Sequence, residues 1–95
     1  MNLFVALVEV APTAPDALSG AEGAAVRVYV QARDAGSALD VLKRALPARA
    51  LRLTEVEWIV DDAEANWENP ETPDGLRLRE EARRDGLAFD LFHCW

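Results

Sequence analysis

The chain has 95 residues, about half of them apolar, with ten cationic and seventeen acidic side chains and a net charge of −7. A chain of this size buries only about 60 to 65% of the surface its unfolded form exposes, so one small core is all it supports. The acidity speaks against nucleic acid as a partner, because phosphate binding needs a clustered basic face.

The pattern predicts one domain over residues 1–95, beginning with a strand over 2–10. Leu3, Val5 and Leu7 on one alternating set and Phe4, Ala6, Val8 and Val10 on the other are all apolar, which places this strand inside a sheet. Residues 11–23 carry two prolines, two glycines and no sustained period, and read as a loop with one helical turn near 16–19. A second strand over 24–33 alternates cleanly, with Val26, Val28, Val30 and Ala32 inward and Arg27, Tyr29, Gln31 and Arg33 outward. Asp34 caps the helix that follows, Ala38, Leu42 and Ala45 form its apolar stripe, and Pro47 ends it.

Over 51–60 the apolar phase runs Leu51 and Leu53, then Val56, Trp58 and Val60. The alternation slips by one near Thr54, so either a bulge sits there or the strand begins there. After an acidic stretch, Asp74 is expected to cap a second helix that stops at Gly86, with a thin stripe of Leu76, Leu78 and Ala82. Residues 87–95 close the chain as a strand, with Leu87, Phe89, Leu91, His93 and Trp95 on one face and Ala88, Asp90, Phe92 and Cys94 on the other.

The element order is β-β-α-β-α-β. A helix between two strands suggests parallel neighbours, and strands two, three and four are expected to share one orientation. The expected class is α+β: a two-layer sandwich, a four-stranded mixed sheet with two helices on one face. It has the size of the ferredoxin-like group though not its element order. Arg27, Tyr29, Arg33 and Trp58 would then lie on an uncovered face.

Charge is the least evenly distributed property of the chain. Glu55, Glu57, Asp61, Asp62, Glu64, Glu68, Glu71 and Asp74 fall in a stretch without Lys or Arg, while ten cations face nine acids elsewhere. The segment 55–74 contributes −8 and the remainder +1, so the acidity is local. Within it, "DDAEANWENPET" fails as a calcium loop because Asn66 stands where a glycine is required. No metal or other cofactor is expected.

The remaining chemistry is sparse. Cys94 is the only cysteine, which excludes an internal disulfide and a thiolate zinc site. His93 and Cys94 point to opposite sides of an extended strand and form no joint site. Neither Ser19 nor Ser37 lies in a nucleophile elbow, and "SGAEG" lacks the spacing of a phosphate loop. No stretch approaches a membrane span and the apolar start lacks a basic leader, so a cytoplasmic location is expected.

The functional expectation is a non-enzymatic acidic interaction protein that binds and inhibits a basic partner, such as a toxin or nuclease, in the manner of an immunity protein or antitoxin. Glu55, Glu57, Asp61, Asp62, Glu64 and Glu68 would supply charge and Trp67 the anchoring ring. The alternative is a homodimeric small-molecule enzyme or sensor with a pocket between sheet and helices around His93, Tyr29 and Arg27. Trp58 and Trp95 are expected in the core or on a sheet face.

Overall fold

A computed structural model describes the backbone of residues 2–62 and 73–95, and the side chains among them apart from 73–76, 91 and 92. The elements are β1 (Asn2–Pro12), β2 (Ala24–Ala32), α1 (Ala35–Ala45), a 3-10 turn (Leu46–Arg49), β3 (Leu51–Asp61), α2 (Pro73–Asp85) and β4 (Leu87–Cys94). The class is α+β, with one sheet in the order β3-β1-β2-β4.

The doubly apolar strand lies inside the sheet, as its two alternating sets require. β1 pairs with β2 on one side and β3 on the other, and Val5 and Val8, which face opposite ways, are both fully buried. A strand covered on both faces needs a layer on each, and the two helices provide them. Phe4, Ala6, Val8, Val26, Val28 and Val30 pack with Ala38, Leu42 and Leu46 from α1 and the turn after it. On the opposite face Val5, Tyr29 and Ala88 pack with Leu78 and Ala82 from α2. The arrangement is therefore three layers, not two, and the expectation of both helices on one face is corrected.

The sheet is also antiparallel throughout, not mixed. β2 ends opposite the start of β1 while β3 begins opposite Pro12 at the other end, so α1 returns along the sheet and β2 and β3 run the same way with β1 between them. β3, however, ends opposite Phe4, and β4 begins opposite Val30, which itself pairs with Phe4. The second connection comes back to the end it left, from one edge to the other, so β4 must run opposite to β3. Only half of the shared orientation holds.

Local signals placed the helices well. The Asp34 carboxylate accepts from the Ser37 amide at 2.7 Å, which starts α1. Pro47 falls within the 3-10 turn that ends it. α2 begins at Pro73, so Asp74 lies inside its first turn and is not its cap. Proline suits that first position, where no amide proton is needed. Gly86, at φ +88°, donates its amide to Ala82 at 2.7 Å and ends α2 as expected.

The slip of phase near Thr54 is a bulge within a continuous strand: Val10 faces Leu53, Glu9 faces Glu55, and Thr54 is the extra residue. A second bulge follows, since Val8 faces Val56 while Leu7 faces Trp58, leaving Glu57 extra. β4 has one too, between the partners of Val26 and Ala25, and it turns His93 onto the Asp90 side. His93 and Cys94 are exposed at the strand end, and so is Trp95 at 49%. Trp95 is therefore not a core residue. Its ring sits against Gly23, where an added Cβ would come within 2.9 Å of the indole, and its main chain is bonded to Gly23 and Glu22.

Candidate functional site

α2 covers one half of its face. The other half, towards the Val10 end of β1, presents Leu7 and Glu9 from β1, Ala25 and Arg27 from β2, Glu55 and Trp58 from β3, and Asp90 from β4. Register alone puts these on one surface, because directly opposed residues of an antiparallel pair share a face. All of them are at least partly exposed.

Glu9, Glu55 and Glu57 come together here, with carboxylate oxygens all within 4.8 Å of one another. Glu9 and Glu55 are direct partners across the β1–β3 ladder, and the extra residue of the second bulge adds Glu57. Like charges opposed across a ladder destabilise it. A hydrogen bond shared with Glu55, with the repulsion of Glu55 and Glu57 behind it, pushes the Glu9 carboxyl above its ordinary range. No Lys or Arg forms an ion pair with the three among the described residues. In chemistry this is an oxygen set for a hard cation or a positively charged side chain.

Across the open half-face, Arg27 Nη2 meets Asp90 Oδ2 at 3.2 Å, with both side chains about a third exposed. The Nε of Arg27 is buried and finds no acceptor among the described residues. Leu7 and Trp58 continue the row of this pair across β1 and β3, next to the row that holds Glu9 and Glu55.

The acidic residues singled out in the sequence thus divide. Glu55 and Glu57 stand together and exposed, as proposed. Asp62 does not belong with them: Arg79 of α2 grips it with Nε at 2.9 Å and Nη2 at 3.2 Å, and both side chains are nearly buried. Arg79 in turn lies 5.3 Å from the Tyr29 ring centroid. Asp61 ends β3 opposite Phe4, at the far end of the strand from the triad. Glu64, Trp67 and Glu68 lie outside the described residues. Sequence reasoning missed Glu9, whose place follows from a pairing register that no local pattern reveals.

His93, Tyr29 and Arg27 do not converge. Tyr29 is buried beneath α2, whereas His93 is exposed opposite Ala25, roughly 13 Å along the sheet by the rise per residue. Among the described residues no helix is long and apolar enough to cross a membrane. Comparison with protein-family models, with curated proteins and with solved structures finds no match to the chain.

Proposed function

We propose that this is a non-enzymatic binding protein whose open half-face docks onto a basic partner protein and blocks it, with Glu9, Glu55 and Glu57 receiving a lysine or arginine side chain. The observation that carries the proposal is the meeting of three carboxylates within 4.8 Å of one another, unrelieved by any ion pair with the described cations of the chain. Such a site is costly to keep and is stabilised when a positive group enters it. Trp58 and Leu7 beside it supply the apolar contact that turns a charge encounter into a seated interface.

Electrostatic steering makes a specific demand on rates. Unscreened acids raise the association rate by about 10 to 10³-fold, an advantage that salt removes. The test captures partners from a lysate at low salt on the wild-type protein and on Glu9→Gln/Glu55→Gln/Glu57→Gln, then follows the purified complex by stopped flow. The proposal expects a basic partner held by the wild type alone, and an association rate that falls steeply towards physiological salt. A partner held equally by the triple variant, or salt-independent association, sinks it. Displacement by millimolar Ca²⁺ in place of any protein would reassign the triad to a metal ion.

A further inference from the structure

On the far side of the sheet, at the start of α1, lies a cavity of about 390 Å³ whose lining includes Gln31, Arg33, Asp40, Val41 and Arg44. That volume falls within the roughly 300–1,000 Å³ range of small-molecule sites. Two guanidinium groups border it, and neither forms an ion pair among the described residues. Arg44 is oriented by its own helix, its Nε donating to the Asp40 carbonyl at 3.3 Å, which leaves its two terminal nitrogens for another acceptor. The helix end plays no part, because the Asp34 carboxylate already holds the Ser37 amide.

We propose that this cavity binds a small soluble phosphate monoester carrying hydroxyl groups. Arg33 and Arg44 grip the phosphate from two sides, the fork of each matching paired phosphate oxygens. Asp40, which lines the cavity from α1 together with Arg44, does not suit a bare anion but accepts from a ligand hydroxyl. Val41 lines the apolar part of the wall. What sets Arg33 and Arg44 apart from the other cations without an ion pair is that both line one cavity.

The proposal is tested on the whole chain by amide NMR titration at constant ionic strength, with glycerol 3-phosphate, inorganic phosphate and glycerol as separate probes. Saturable shifts at Gln31, Ser37 and Val41 are expected with the first two, tighter for glycerol 3-phosphate, and none with glycerol. Arg33→Gln and Arg44→Gln should each weaken binding about tenfold or more, as loss of a charged hydrogen-bonding pair implies. Asp40→Asn should narrow the preference for glycerol 3-phosphate while leaving phosphate bound. Unmoved resonances of β1 certify the fold of each variant, and Arg44→Lys offers a milder change with intermediate loss. Absence of saturation, shifts reproduced by chloride, or shifts unaltered in Arg33→Gln/Arg44→Gln overturn the proposal. Equal binding of the two phosphates removes its hydroxyl part, and preferential capture by phosphatidic acid vesicles transfers the site to a membrane headgroup.

Discussion

The two faces of the sheet solve the same problem differently. Under α1, valines from β1 and β2 meet Ala38, Leu42 and Leu46 in an unbroken apolar layer that reaches the 3-10 turn and the loop residue Leu18. Under α2 the cluster among the described residues has five buried members, two of them alanines, and the pairing of Arg79 with Asp62 joins the helix to the end of β3. Beyond α2 that face is open and charged. The larger apolar cluster lies on one side of the sheet, and the crowded carboxylates lie on the other.

That contrast is broken or upheld first by core truncation. Leu42→Ala should cost about 2 to 5 kcal/mol, because α1 is pinned against a close-packed layer that cannot collapse around the loss. Leu78→Ala should fall at the lower end of that range, since its neighbours Ala82 and Ala88 leave α2 free to settle onto the sheet. Urea unfolding of the two variants decides it, and a larger loss at Leu78 would reverse the assignment of strong and weak faces.

Next in size comes the ion pair. Asp62→Ala should destabilise by about 2 to 3 kcal/mol, as the nearly buried Arg79 loses a carboxylate that it bonds through both Nε and Nη2. The Asp62→Ala/Arg79→Met double variant should lose less than the sum of the single changes, because the two groups act as a unit. Strict additivity would show that the pair does not hold α2.

How far the sequence discloses this arrangement depends on whether the signal is local. The interior place of β1, the Asp34 cap, the stop at Gly86 and the bulge at Thr54 are all written in short-range pattern, and the structure has them. The placement of the helices was misjudged: both were expected on one face with Tyr29 uncovered, although a strand apolar on both alternating sets calls for cover on both faces. Three things were not legible. The bulges at Glu57 and in β4 leave no break that composition reveals, so His93 and Trp95 were assigned to the wrong surroundings. Pairing of Glu9 with Glu55 joins residues 46 positions apart through a register that only the assembled sheet defines. β3 ends and β4 begins at the same end of the sheet but on opposite edges, a connection that element order alone does not distinguish from a crossover.

Trp95 sharpens the comparison from the periphery. A core tryptophan at the end of β4 would cost about 3 to 5 kcal/mol on removal. With its ring half exposed against Gly23 and its main chain carrying the bonds to Gly23 and Glu22, Trp95→Ala should cost about 1 kcal/mol, read as a small shift of the thermal midpoint. A loss the size of the Leu42 variant's would mean that the indole closes the apolar layer after all.

The smallest effect belongs to the open half-face and has the opposite sign. The Glu9 carboxyl is raised in the folded chain by its hydrogen bond with Glu55 and by the nearby charges. A carboxyl raised on folding favours the protonated native state, so its contribution is present below the ordinary carboxylate range and is lost as pH rises through the raised value. At neutral pH three mutually repelling charges remain. Glu9→Gln removes one of them and should therefore raise the urea midpoint slightly at pH 7, with the gain shrinking as acid protonates Glu9 in the wild type. A gain that ignores pH, or a loss at neutral pH, would mean that the carboxylates do not repel as their spacing demands. The same crowding that weakens the free protein is what an entering lysine or arginine relieves, so a variant more stable alone and poorer at holding a basic partner ties both properties to one set of charges.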